Sequence, residues 1–561
     1  EKQTLLCPIC RKEGGSFGLD EYKKAIGQSE EGLRTLIIPD SFSLTQNLPN
    51  ETLLLTDQTA VTLSNIEISV NLFFMLLEKT KVTIGERFSI VEYVGSEDSI
   101  RKHGMARNSP FCLERNNEAV SSLALENIER MAPNSIGCSL KKVKLHNTYL
   151  INIIPKLRVK EDSKVEWLVL SADEEEHIAG ILAQDQPICV GNVEKVRLRN
   201  CAVSILPKLK NHEDHEIEFI WLDADEKEHV DGILAQEEMF CVGRVKNALF
   251  EGYAIAILPK LETHEDCEVE TLRLGATKEE HVATILAQAQ PFYVGSVGEI
   301  TLEDYAVNIL PKLEVHKDCV IKILILNASE KEHVATIIAQ DQPFCVGIVK
   351  EMKFEEYAVF VLLKMKMIGE LVLSINGDET WRNIHGELKK ENTVICVEEV
   401  ERLTLAEHAV NILPALKIKR EMGIFALYAD TEDHISEVLA EEYKGISFGR
   451  IKGFVLYGSA VNLLPKMRIG EDCEVEQYGL GAPKERQISK VLGKEDRSIA
   501  VGRVKNMELV DYAVCVITKL RIHEDNTMES FRLFADEKYF PRILEKGNNS
   551  IEIGRIKPER D

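Results

Sequence analysis

Few residues in this chain could do chemistry, and most of them stand without the partners that chemistry requires. Cys7-Pro-Ile-Cys10 has the spacing of half a zinc site. A structural zinc ion takes four ligands in a tetrahedron. The next cysteine is Cys112 and the first histidine is His103, so the missing ligands would have to precede Glu1. A pair of ordinary thiols is the expectation, and no metal ligand is assigned. Gly14-Gly15-Ser16-Phe17-Gly18 fits the GxSxG pattern, which activates a serine only on a strand-to-helix turn within an α/β-hydrolase sheet. Nothing around it predicts that sheet, so a glycine turn is expected. His177, His229, His281, His333 and His434 recur at one spacing, and His264 and His316 at another. Successive members lie too far apart to share an ion at about 2.0–2.1 Å per bond, which points to packing or helix-surface roles. No P-loop, GxGxxG or HExxH occurs in the sequence. The expectation is a non-enzyme with no catalytic residue and no cofactor.

Composition narrows the partners. Apolar residues make up 44% of the 561 and charged residues 29%, as in folded, soluble proteins. The formal charge is −24. Such a field repels phosphate backbones and attracts basic surfaces. Nucleic acid is therefore not expected as a partner, whereas a basic protein surface would be drawn in. The plainer expectation is that acidity maintains solubility. Apolar runs such as residues 71–77 fall far short of the roughly 20 residues of a membrane span. The chain opens on Glu1 instead of Met, which would suit a processed or excised piece.

The element that positions these residues is a repeat. Residues 193–209 read VEKVRLRNCAVSILPKL, 245–261 read VKNALFEGYAIAILPKL and 297–313 read VGEITLEDYAVNILPKL. Further copies begin at Val349, Val400, Ile451 and Val504, at intervals of 51 to 53 residues. A second unit type lies between them, beginning at Val165, Ile217, Val269, Ile321, Met422, Val475 and Met528, with a degraded copy from Ile368. Both types carry three anchors in the order apolar, two variable, apolar, one variable, apolar: Val297, Ile300 and Leu302, or Val269, Leu272 and Leu274. The alternation at the centre has the period of a strand with one buried face. The tail then turns to helical spacing, as at His281, Ile285 and Leu286. Asp173-x-x-Glu176, Asp225-x-x-Glu228, Thr277-x-x-Glu280 and Ser329-x-x-Glu332 read as capping boxes for that helix, with Asp430 and Asp536 in the same place. In the first type a shorter helix, about residues 306–310, is limited by Pro311.

This pattern resembles the leucine-rich repeat, LxxLxLxxN/CxL. The likeness covers about residues 120–533, with weaker copies back to Leu33. Alternating unit types are similar to the ribonuclease-inhibitor-like subclass, although these units are a little shorter. Where the family places Asn or Cys, this chain has Cys201, which fits, and Tyr253, Tyr305, Tyr357, His408, Ser459 and Tyr512, which depart from the usual side-chain ladder. The resemblance implies an α/β fold: a leucine-rich-repeat solenoid of about 20 units, a horseshoe with a concave parallel β-sheet and convex helices. Strands stack at about 4.8 Å while helices need about 8–10 Å, and that mismatch curves such an array. Residues 1–30 fit no unit. Residues 31–119 read as degenerate repeats with an insertion between 79 and 117, where only Phe88 and Ile90 keep the pattern. Residues 120–561 read as regular alternating repeats. Ile553-Gly-Arg-Ile556 repeats Val501-Gly-Arg-Val504 without a polar cap after it, as expected of a truncated or covered end.

A solenoid of this kind implies a protein–protein interaction scaffold. Positions two, three and five of the strand motif, and the two residues after the sixth, are expected on the concave face. Most units hold polar or small residues there, such as Glu270, Thr271 and Arg273. Four consecutive units instead supply Trp167, Val169, Arg197, Arg199, Phe219, Trp221 and Leu249. Trp and Arg dominate interface energies, and contiguous exposed apolar surface commonly marks an interface, so these are the expected partner-binding residues. The plain alternative is that loops or the N-terminal region cover them. Tyr428, Val455 and Tyr457 form a second candidate. A competing class is a substrate receptor within a ubiquitin ligase, with Cys7 and Cys10 in a RING-like zinc element. Cys189, Cys241 and Cys345 share one repeat position, and Cys267, Cys319 and Cys473 another. Two strands separate such pairs by about 9.6 Å, beyond the roughly 6.8 Å reach of a disulfide. All 13 cysteines are expected to be free thiols, which leans toward a cytoplasmic site. Asn50-Glu-Thr and Asn548-Asn-Ser would be glycosylation sequons in a secreted chain.

Overall fold

The structure, a computed structural model, describes residues 39–536 apart from 48–52, 93–99, 105–109, 117–118, 161–162, 211–214, 263–267, 367–368, 391–393, 398–399, 419–420, 441–445, 449 and 471–472, together with 555–556. Cys7, Cys10, residues 14–18, Asn50, His264, Cys267, Ile368, Asn548 and Ile553 lie outside the described residues. The chain divides into two compact units, Glu1–Val193 with Lys208–Lys210, and Glu194–Pro207 with Asn211–Asp561.

In the first unit, strands Ser41–Leu44, Ala60–Leu63 and Lys81–Ile84 run in parallel. A second sheet orders Leu157–Val159, Ile136–Cys138, Ser89–Val91 and Ile66–Ser69 in parallel, with Ile100–Lys102 antiparallel at its edge. A third sets Phe111–Asn116, Leu140–His146 and Lys164–Ala172 side by side in parallel. The stretch between residues 79 and 117, expected as an insertion, thus supplies strands to all three sheets. Only Ile100–Lys102 breaks the parallel order. Phe88 and Ile90, the two residues that kept the pattern, are fully buried. Helices Val70–Lys79 and Ser122–Arg130 start on Ser69 and Ser121, whose hydroxyls accept the N–H groups of Leu72 and Ala124 and so satisfy donors that a helix start leaves open.

The second unit holds one long parallel sheet in a solenoid-like repeat arrangement. Its described strands are Asn192–Asn200, Glu216–Ala224, Arg244–Gly252, Glu268–Ala276, Phe292–Asp304, Val320–Ala328, Ile348–Glu356, Gly369–Ile375, Val400–Glu407, Glu421–Ala429, Arg450–Gly458, Glu474–Ala482, Ile499–Asp511 and Ser530–Phe534, each bonded to the next. The registers set like repeat positions opposite each other: Leu272 faces Ile300, and Ile300 faces Leu324. The core is therefore columns of equivalent side chains, with Ile300, Leu302 and Leu324 wholly excluded from solvent. Each first-type strand leads into a 3₁₀ helix such as Tyr305–Lys312, and each regular second-type strand into a short helical segment such as Glu280–Leu286. Among the described residues no helix is long and apolar enough to cross a membrane.

The helix starts differ from the expected capping boxes. The first helical residues are Glu228, Glu280 and Lys331, and no side chain of Asp225 or Thr277 caps them. The expected caps are tied to the turn of the preceding unit instead. Asn147 Nδ2 donates to Asp173 Oδ2 at 2.5 Å, Arg199 reaches Asp225 at 3.2 Å, and Ser329 Oγ donates to Asp304 at 2.8 Å. The recurring histidine takes over part of the capping task. Glu226 N–H donates to His229 Nδ1 and Glu330 N–H to His333 Nδ1, each at 3.2 Å. The same histidine column packs edge-on against the tyrosine of the preceding unit, with Tyr305 and His333 centroids 4.5 Å apart.

Two further ladders stitch the units together. Asn411 Nδ2 donates to the Asp433 carbonyl at 2.9 Å while its Oδ1 accepts from Glu437 N–H at 3.1 Å; Asn462 treats Arg486 and Lys490 alike. The lysine that ends the same motif reaches backward. Lys466 Nζ donates to the carbonyls of Val438 and Leu439 at 2.8 Å, and Lys260 and Lys312 donate to those of Gln236 and Gln288. A cation at a helix C-terminus satisfies open carbonyls and complements the helix dipole. In the units that carry Tyr305 or His408, the asparagine three residues farther on makes the bridge; Asn308 accepts Ile337 N–H at 3.3 Å.

Candidate protein-binding face

Alternation along each strand sends every second side chain away from the helices. Parallel registry then lines those side chains into rows across the open face of the second unit. One row runs Lys195, Phe219, Asn247, Thr271; the next Arg197, Trp221, Leu249, Arg273, Thr301; the third Arg199, Asp223, Glu251, Gly275, Glu303.

Trp221 sits at the centre of a fixed cluster on this face. The Arg197 guanidinium lies 3.6 Å from the centroid of its ring, a cation–π contact. Its Nε1 donates to Glu251 Oε2 at 2.8 Å. Arg199 bridges Asp223 and Asp225, each at 3.2 Å. Burial, and then the neighbouring Asp225, push the Asp223 carboxyl above its ordinary value, against the pull of Arg199. Farther along, Arg273 grips both carboxylate oxygens of Glu303 at 2.7 and 3.2 Å. Phe219, Trp221, Leu249 and Arg197 are half-buried and Arg199 is exposed. The indole is therefore held from one face and one edge while part of it meets solvent.

Five of the seven expected residues, Arg197, Arg199, Phe219, Trp221 and Leu249, are gathered on this face of the second unit. Trp167 and Val169 belong to the first unit, opposite Lys142 and Lys144. Trp167 is half-buried there. Val169, expected to be accessible, is only 6% exposed. Its short side chain reaches less far from the sheet than the ring of Trp167, two residues before it on the same face, which leaves it little of the surface.

The second candidate is more open than the first. Tyr428 is 40% exposed and Tyr457 37%, with ring centroids 6.2 Å apart and Val455 half-buried beside them. Their row continues through Gly481 and Val510 to Phe534, which is 52% exposed. A Cβ at Gly481 would meet Tyr457 Cδ2 at 2.6 Å, so the tyrosine ring leans over the bare backbone of the next strand. Sequence reasoning missed Gly481, Val510 and Phe534 because it judged each unit singly. Reading the residue directly after the third anchor across all units would have found the row.

The histidine columns join no such site. His229 and His333 serve helix starts, and His177, His281 and His333 pack on tyrosines, while Cys112, Cys138, Cys189, Cys201, Cys241, Cys319, Cys345, Cys396, Cys473 and Cys515 are free thiols. Burial drives the Cys138 thiol up to about 12, which holds it protonated and unreactive. The sequence matches no known family, no curated protein and no solved structure at a significant level.

Proposed function

We propose that this chain is a leucine-rich-repeat scaffold that binds a protein partner through the open face of its repeat sheet, with Trp221 as the anchor. The observation that carries the reading is the fixed Arg197–Trp221–Glu251 cluster on the open face of the sheet. An aromatic ring held in place before contact loses little freedom on binding, and Trp and Arg supply most interface energy. The acidic balance of the chain, −24, favours a partner with a basic surface. The repeat assignment rests on the VxxLxL anchors, their strict registry and the asparagine ladder at Asn411 and Asn462.

Trp221→Ala tests the reading against Thr301→Ala, which alters a polar part of the same row. A protein captured by the wild-type chain is purified and titrated with all three. Trp221→Ala should weaken binding by about 2 kcal/mol or more, roughly thirtyfold, with the unfolding midpoint nearly unchanged. Thr301→Ala should alter binding little. Equal affinities across the three, or loss of the fold in Trp221→Ala with no separable binding defect, would remove Trp221 from the interface.

A further inference from the structure

The second-anchor column of the long sheet runs from Val196 to Phe531, and every member but one is Val, Ile, Leu, Met, Phe or Tyr. The exception is Ala248, registered between Ile220 and Leu272. Its neighbours do not close over the missing volume. A cavity of about 80 Å³ remains, lined by Ile220, Ala248, Phe250, Leu258 and Leu272 within and by Glu262 and Tyr293 at its rim. Within, the walls are hydrocarbon, so a water molecule there would find almost no hydrogen-bond partner, which favours an apolar guest. Its volume is roughly half of the 150 Å³ that admits benzene, which suits a branched aliphatic group of about four carbons. Tyr293 is 36% exposed and Glu262 is exposed, so among the described residues the lining reaches the surface at these two. Glu262 is the one charged residue of the lining among the described residues, within a chain of net charge −24, so a guest's polar end at this rim would meet a negative field, which favours an ammonium and disfavours a carboxylate.

We propose that this void is a binding site for short branched alkylammonium ions, with the hydrocarbon seated above Ala248 and the cation at Glu262. The site lies in the core at the beginnings of the strands, apart from the open face, and does not depend on the scaffold reading. An Ala in a column of large side chains leaves a defect that packing normally removes, and here the defect has an opening with a charge beside it.

The test uses methyl-resolved NMR of the full chain with isobutylammonium and, separately, isovalerate as probes. Isobutylammonium should shift the methyl signals of Leu272 and Val269 saturably, and isovalerate should bind at least tenfold more weakly. Ala248→Leu, or Ala248→Val where the larger side chain disturbs folding, should raise the unfolding midpoint and weaken isobutylammonium at least tenfold. Glu262→Gln should bring the two probes to similar affinity. The proposal is overturned by the absence of a saturable response in the wild type, by an equal response in both Ala248 variants, or by a preference for isovalerate.

Discussion

His281 shows how one residue can carry both packing and a penalty. It is 4% exposed, and its ring meets Tyr253 at 4.7 Å with 64° between the planes. Among the described residues neither ring nitrogen has a hydrogen-bond partner. Burial first, and Lys278 second, hold its pKa below the ordinary value. The folded state therefore keeps a neutral imidazole in a pH range where the unfolded chain, with a pKa near 6.5, already binds a proton. Stability attributable to this group is present above about pH 6.5 and is lost as the pH falls toward the lower folded value. His281→Phe keeps a ring against Tyr253 and removes two unpaired buried nitrogens. Denaturant titration should show a gain of about 1 kcal/mol near pH 7.5 and a larger gain near pH 5. Equal gains at both would mean that the imidazole is not held neutral by burial. His333 differs, because its Nδ1 accepts Glu330 N–H and lies 3.2 Å from Asp304. Its shared repeat position with His281 is visible in the sequence; the difference in partners arises from Ser329 and Asp304, which sit in separate units.

At the scale of the element, the short helices need their neighbours. A segment such as Ser489–Leu492 is far too short to persist alone, since a helix gains little until several turns have formed. Asn462 supplies part of what it lacks, accepting Lys490 N–H at 2.9 Å and donating to the Arg486 carbonyl at 3.1 Å, while only 2% exposed itself. Asn462→Ala strands both backbone groups and should lower stability by about 1–3 kcal/mol, with early loss of hydrogen-exchange protection at the Lys490 amide. Unaltered protection there would mean that the ladder does not hold the helix. The strands were legible in the sequence because two anchors at period two, repeated every 51 to 53 residues, admit one burial pattern. The caps were not. Asp225 and Ser329 have the chemistry of a cap, but the preceding turn presents Arg199 and Asp304 to them first, and no local pattern reports that competition. The open face of the sheet divides along the same line. Alternation puts Phe219, Trp221 and Leu249 on the open face, whereas the burial of Val169 depends on side chains that local spacing does not weigh.

Across the whole molecule, legibility falls where the repeat loosens. In the first unit, strands of three to six residues between 81 and 116 are too short to display a period, and one of them runs antiparallel, which no repeat template anticipates. In the second unit the same column recurs through every described strand, so each side chain is buried chiefly by its copies before and after it. Stability in such an array is close to a sum of unit terms and nearest-neighbour terms. Leu302 tests this directly. It is fully buried, registered between Leu274 and Leu326, and a carboxylate in its place would be desolvated against hydrocarbon on both sides. Burying an unpaired charge costs several kcal/mol, enough to melt the local unit while leaving units several strands away with their own neighbours. Leu302→Asp should therefore split the unfolding of the second unit into two transitions, with exchange protection lost first around residues 269–328 and retained longer near Phe425 and Phe454, whose rings stack 6.0 Å apart. One cooperative transition at the wild-type midpoint would show that the sheet does not behave as a one-dimensional array, and one transition shifted far downward would show that coupling between units exceeds the stability of either flank.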